Sequence, residues 1–228
     1  MAASGSEISR LASKIQSLYE KTPANDRILI AISGIPGSGK STLAREVVAA
    51  VNALHGDLAV DLPMDGFHLS RAQLAAMPNP AEAFHRRGAA FTFDGEGFLR
   101  LVRRLREPVP PHAPATATIF APSFDHARKD PIADDIPIRP SARVLVLEGN
   151  YLSLDREPWR SAAALMDELW FIHVDRELAR DRLVQRHVLS GVTPDAPSAR
   201  HRVDSTDFLN ADDILDHRLP VQEDLVSN

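Results

Sequence analysis

A chain of 228 residues and 25.0 kDa, 44% of it hydrophobic, can bury one sizeable core and is too short for two full domains. Its net charge of −5 and pI near 6.0 argue against a broad electrostatic grip on nucleic acid or an anionic membrane. With no cysteine it forms no disulfide, thiolate nucleophile or cysteine-based zinc site. No apolar run reaches transmembrane length, and MAASGSEISR lacks the basic and apolar regions of a signal peptide, so the expected compartment is the cytoplasm.

Residues 1–5 are small and polar and are expected to be loose. The spacing predicts a helix from Ser6, with Ser6 as its cap and Ile8, Leu11, Ala12, Ile15, Leu18 and Tyr19 inward. Thr22-Pro23 ends this N-terminal helical segment, residues 1–24, which is expected to pack on the core without carrying chemistry. Arg27 to Ser33 is apolar and β-branched, as a buried parallel strand should be.

Gly34-Ile35-Pro36-Gly37-Ser38-Gly39-Lys40-Ser41 then fits the phosphate-binding pattern G-x-x-x-x-G-K-[ST], and a helical stretch follows from Ser41 to Ala53. The glycines allow positive φ, so that successive N–H groups can point at one anion, and the helix start adds its dipole. Only four of the 26 basic residues are lysines, and Lys40 stands where the pattern needs one. The candidate phosphate-binding residues are Gly34, Pro36, Gly37, Ser38, Gly39, Lys40, Ser41 and Thr42, with Lys40 on the β/γ-phosphates of ATP and the Ser41 hydroxyl on Mg²⁺.

Leu58 to Leu62 reads as a second strand, and Asp65 lies just beyond its C-terminal end, where open α/β sheets bind ligands. If this strand neighbours the first, Asp65 stands near the phosphates and can take the proton of an attacking hydroxyl. Residues 71–94 form an excursion. Its group His85-Arg86-Arg87-Gly88, close to Phe91, Phe93 and Phe98, reads either as a solvated turn or as an acceptor site. A helix is expected over Gly97–Glu107, with Arg100, Arg103, Arg104 and Arg106 facing solvent. Pro108 to Pro114 is a stiff connector, and Thr116–Phe120 is extended. Phe124-Asp125-His126-Ala127-Arg128-Lys129 combines groups suited to a polar or charged acceptor.

Arg143 to Leu147 is a further buried strand ending in Glu148, the place of a metal-holding carboxylate, with Asn150 and Tyr151 following into the same cleft. A helix over Trp159–Met166 and a strand over Glu168–Val174 precede a helix from Arg176 to Leu189. Arg182 and Arg186 share one face of that helix at spacing i,i+4, which repels unless an anion lies nearby. Residues from about 190 to 206, carrying Arg200 and Arg202, read as a lid over a triphosphate, and Ile214–Leu219 reads as a last edge strand. Together these elements predict a single domain over residues 1–228. It would be a three-layer α/β/α fold with a doubly wound parallel sheet, an acceptor-side insertion over about 66–130 and a small lid.

Several of these stretches carry a family resemblance: GIPGSGKST at 34–42, DGFH at 65–68, RRGAAFTFD at 86–94, FDHARKDP at 124–131, LVLEGNYL at 145–152 and DRLVQRHVLSG at 181–191. The chain resembles the P-loop kinases grouped with uridine kinase, phosphoribulokinase and type I pantothenate kinase. It is most similar to a bacterial branch labelled as fructose-transport-system or nucleoside kinases. The resemblance implies ATP-dependent transfer to a small-molecule hydroxyl on a sugar, nucleoside or pantothenate-like metabolite. It implies Asp65 as base, Lys40 and Ser41 at the phosphates and Mg²⁺, and Glu148 near the metal. It also implies Arg186, then Arg182, over the transferring group, and an acceptor pocket drawn from Asp65, His68, Arg86, Phe93, His126, Arg128 and Tyr151. One departure is that His126 directly follows Asp125, where uridine kinases space the two. Expected partners are the small acceptor, neither nucleic acid nor membrane, with a homodimer left open. The competing reading is a P-loop NTPase acting as a switch or binding module, although no Asn-Lys-x-Asp guanine motif is present.

Overall fold

A computed structural model describes residues 4–110 and 113–227. The expectations for residues 1–3, and for residues 111–112 within the proline-rich connector, lie outside that range.

Helix α1 spans Gly5–Lys21 and is capped by Ser4, whose hydroxyl accepts the Glu7 N–H. Ser4 rather than Ser6 is the cap because its backbone is extended, as an N-cap must be, while Ser6 is already helical. Strand β1 (Ile28–Gly34) is buried at every position and leads through the glycine-rich loop into α2 (Lys40–His55). Strand β2 (Ala59–Pro63) runs into a tight 3₁₀ turn, Met64–Phe67. Two short helices follow: α3 (Arg71–Ala75), closed by a Ser70–Gln73 capping box, and α4 (Pro80–His85). Helix α5 (Gly95–Leu105) starts two residues earlier than expected, since Asp94 caps it by accepting the Gly97 N–H.

Strands β3 (Ile119–Asp125) and β4 (Asp130–Ile138) form an antiparallel hairpin apart from the main sheet. Strand β5 (Val144–Glu148), helix α6 (Trp159–Ala163), strand β6 (Glu168–Val174) and helix α7 (Arg176–Leu189) complete the centre. Helix α8 (Ala196–Arg202), a π-turn at Val203–Asp207, helix α9 (Phe208–Asp216) and strand β7 (Glu223–Ser227) follow.

The five sheet strands are all parallel, in the order β2-β5-β1-β6-β7. Alternate residues of β1 serve opposite layers. Ile28, Ile30 and Ile32 pack with Leu11 and Ile15 of α1 and Leu43 and Val47 of α2. Leu29 and Ala31 face the other cluster, with Phe98, Val102, Trp159, Leu183 and Phe208. With both faces covered, every strand residue at the centre must be apolar, which is why β1 reads as an unbroken hydrophobic run. This is the expected three-layer, doubly wound fold.

Three expectations are corrected. Strand β5, not β2, lies beside β1, so Asp65 is one strand further from the phosphate loop than adjacency would place it. Residues from Ile214 onward are not the edge strand. Phe208, Ala211 and Ile214 are all buried at a spacing of three, a helical face, and the edge strand is Glu223–Ser227 on β6. Arg106 does not face solvent: it donates to the backbone oxygens of Leu165 and Arg27 and pairs with Asp167 at 2.9 Å, tying α5 to the sheet.

Gly66 is the point where the turn after β2 meets the hairpin. A Cβ there would lie 2.0 Å from the Pro122 carbonyl oxygen of β3, a backbone atom that cannot swing aside. Gly66→Ala is therefore expected to cost roughly 1–3 kcal/mol in chemical denaturation, by pushing the hairpin off the turn. A cost below about 0.5 kcal/mol would show that this contact yields freely.

Candidate active site

The phosphate loop folds as its residue types require. Gly37 and Gly39 take φ values of 82° and 93°, the left-handed region that other residues avoid. Lys40 lies back over the loop, its Nζ donating to the Ile35 carbonyl at 2.9 Å. A cleft of about 310 Å³ opens here, walled by Gly39, Lys40, Ser41 and Thr42 on one side and by Arg182 and Arg186 of α7 on the other. Arg182 also donates to the Gly37 carbonyl at 3.2 Å and to Ser227 Oγ at 2.9 Å. Gly34 ends β1 and Ser38 is buried beneath the loop, whereas Pro36 turns toward a second cavity.

Glu148, at the end of β5, accepts the Ser41 hydroxyl at 2.9 Å. Burial holds its carboxyl above the usual range. The neighbouring Asp65 charge adds to this, while Lys40 and the Ser41 hydroxyl draw it back. Two hard oxygens from the protein suit Mg²⁺, which is held by one or two carboxylates together with substrate phosphates.

Burial pushes the Lys40 amine down to about 8; Glu148 opposes this, Arg186 adds to it and Asp65 opposes it. Those three influences place Lys40, Glu148, Arg186 and Asp65 in one electrostatic neighbourhood. They also carry a prediction. A polyphosphate restores the ammonium form, so ATP binding should take up a proton wherever the free protein has begun to lose it. Uptake, read from the dependence of calorimetric enthalpy on buffer ionisation heat, is expected to grow from about pH 7.5 to about pH 8.5. Buffer-independent enthalpies at the higher pH would contradict a lowered Lys40.

The second cavity, about 470 Å³, opens beside the first and shares Arg186 with it. Asp65 and His68 stand on its wall, with His68 Nε2 3.9 Å from the Asp65 carboxylate. The His68 ring stacks on Phe93 at 3.9 Å and lies 4.9 Å from Phe124, which in turn meets His126 edge-on. Burial pushes His68 down to about 4 despite the pull of Asp65, with Arg87 and His126 also lowering it, so it is neutral at pH 7. A neutral His68 leaves the Asp65 charge uncompensated by its nearest ring.

Of the acceptor residues expected from sequence, Asp65, His68, Phe93 and His126 line this cavity. Three others do not. Arg86 donates to Asn210 Oδ1 at 3.0 Å and lines a separate depression, because the turn after α4 rotates it away and presents Arg87 instead. Arg128 projects into solvent from the hairpin tip, 3.6 Å from Asp125. Tyr151 is wholly buried behind Phe93, edge-on to that ring, and its hydroxyl is consumed by the Gly88 carbonyl at 2.7 Å.

Arg87 and Lys129, each within a stretch that the sequence offered as an acceptor site, also stand on this wall, and so does Arg71, which the sequence did not single out. The segment expected as a lid reaches this second cavity through Val192 and Arg202. It is tied to α7 by Arg180–Asp204 and by His187–Asp207 at 2.7 Å. Arg176 and Arg180 are structural: both lie over the Phe208 ring and pair with Asp212 and Asp204.

No family model matches the chain. It is 67% identical over 165 residues, 72% of this chain and 94% of the relative, to an ATP-dependent kinase-like protein of Aspergillus versicolor. It is 41% identical over 185 residues, 81% of this chain and 76% of the relative, to a Schizosaccharomyces pombe protein named as a uridine kinase. A solved structure from Silicibacter sp. TM1040, named as a fructose transport system kinase, superposes with a TM-score of 0.78 at 37% identity and covers 94% of this chain and 98% of its own. Kinase names across these relatives support ATP use, phosphotransferase activity and a small-molecule substrate. Among the described residues no helix is long and apolar enough to cross a membrane. The chain belongs to the P-loop kinases of the phosphoribulokinase and uridine kinase-like family.

Proposed function

We propose that this kinase moves the γ-phosphoryl group of ATP onto a hydroxyl of a sugar, nucleoside or pantothenate-like metabolite. The observation that carries the reading is that Arg186 is common to two adjoining cavities, one walled by the phosphate loop and the other bearing Asp65. A donor in the first and a hydroxyl in the second would meet beneath one guanidinium.

In this reading Asp65 orients the hydroxyl and takes its proton as the oxygen bonds to phosphorus and the bond to the ADP oxygen breaks. Lys40, the loop N–H groups and Arg186 surround the phosphoryl oxygens and stabilise charge as it shifts toward ADP. Glu148 and Ser41 would hold Mg²⁺, which would neutralise part of the charge on the phosphates. His68, neutral and fixed by Phe93, supplies a hydrogen-bonding edge next to Asp65 without quenching its charge.

The test is coupled ADP release over sugars, nucleosides and vitamin precursors. Release that rises with one chemical class supports the reading. Hydrolysis that stays the same across the whole panel would favour a nucleotide switch.

A further inference from the structure

The acceptor cavity is charged far beyond what a neutral alcohol needs. Its wall carries Arg71, Arg87, Lys129, Arg186 and Arg202 against the carboxylates of Asp65 and Asp207. Asp207 is already engaged by His187. Among the described residues Arg71, Lys129, Arg186 and Arg202 have no carboxylate within ion-pair distance. Arg186 belongs to the donor side, which leaves four cations around the acceptor.

Three of them converge where the excursion after β2 meets the hairpin. Asp130 anchors that corner: its Oδ1 accepts the Arg71 backbone N–H at 2.7 Å and lies 3.4 Å from Arg87. Arg87 is held rigidly, donating to the carbonyls of Lys129 at 2.6 Å and Leu69 at 3.0 Å, with its guanidinium over Phe124. Its Nε is buried without a hydrogen-bond partner. Burial pushes Arg87 down, and the charge of Arg71 lowers it further while Asp130 resists. Among the described residues Asp130 thus pairs with one of these cations, Arg87, and meets Arg71 through its backbone N–H alone. Fastening the hairpin explains Arg87 but neither the Arg71 nor the Lys129 side chain.

The corner also lies at a definite place along the cavity. Asp65 neighbours His68, His68 neighbours Phe124, and Arg87 lies over Phe124. A bound molecule would therefore span about one aromatic ring between the carboxylate and the cations.

Resting on the transfer reading above, we propose that the acceptor is an anion: a hydroxylated carboxylate or phosphate ester whose charged group docks at Arg71, Arg87 and Lys129. A cluster of cations around a planar or tetrahedral oxyanion gives charge-assisted hydrogen bonds that a neutral polyol cannot return.

The experiment is ADP release with matched series: glycerol, glycerate and glycerol phosphate; ribose, ribonate and ribose 5-phosphate; panthenol and pantothenate; uridine and uridine monophosphate. The expected result is a kcat/KM higher by roughly 10- to 100-fold for a charged member than for its neutral partner, and which charged member leads separates carboxylate from phosphate. Lys129→Gln and, as a second variant, Arg71→Gln should lose most of that preference through the acceptor KM while the ATP KM holds. A neutral member that equals or exceeds its charged partners overturns the proposal and leaves the kinase reading standing. Should no compound release ADP, the same compounds and inorganic phosphate are tested for a rise in melting temperature without nucleotide. A rise abolished in Lys129→Gln keeps the anion site and overturns the transfer reading; no rise overturns both.

Discussion

Lys40→Ala is expected to lower ATP-dependent phosphoryl transfer by about three orders of magnitude or more while the protein stays folded. Lys40 is the one cation held inside the phosphate loop itself, and burial already makes its charge costly, so its position is sustained by what it binds. The stability sign follows from the same shift. A lysine whose folded pKa lies near 8, below the unfolded 10.5, contributes fully only above the unfolded value and loses that contribution as pH falls through the folded one. At pH 7 the parent therefore carries the cost of a buried ammonium, and the alanine variant does not. The variant should melt close to the parent or above it, with the orphaned Ile35 carbonyl as a partial offset. Coupled ADP release together with a melting curve checks both halves. A folded variant with normal turnover would remove the basis for a phosphate site here.

Asp65→Asn should cut transfer by about two to four orders of magnitude with ATP affinity nearly unchanged. The substitution keeps the shape and removes the basicity. Structure gives it little else to disturb: the carboxylate is half exposed and faces a neutral His68 at 3.9 Å. Stability should hold, so a loss of rate would belong to the chemistry. Steady-state kinetics alongside direct nucleotide titration separates the outcomes. A fall in ATP affinity instead would move Asp65 to the metal, beside Glu148, whose carboxyl it already influences.

The phosphate loop and the carboxylates at the strand ends were legible because their information is local. In a parallel sheet every strand ends at the same edge, so a carboxylate placed just past an apolar run arrives at the ligand crevice whatever the strand order. That is why Asp65 and Glu148 could be picked out even though β5, not β2, pairs with β1. Arg182 and Arg186 were legible for a similar reason, since spacing along one helix puts both on the cleft over the phosphate loop.

The acceptor side was not legible in the same way. Arg86 and Arg87 are adjacent and chemically alike, and the turn after α4 alone sends one toward Asn210 and the other over Phe124. Tyr151 follows the Glu148 strand as closely as a cleft residue would, yet Phe93 and Trp159 enclose its ring and Gly88 takes its hydroxyl. The edge strand was misplaced because residues near 214 carry an apolar run too short to distinguish a strand from a helix without knowing what it packs on.

By itself, then, the sequence determined a parallel α/β fold with a phosphate loop and candidates for a base and a metal-holding carboxylate, because each depends on a contiguous stretch whose backbone conformation its own residues dictate. Only the tertiary structure decided the strand order and which cations line the second cavity. Those depend on contacts between the hairpin at 119–138, the excursion at 71–94 and helix α7, segments whose mutual placement no local pattern encodes.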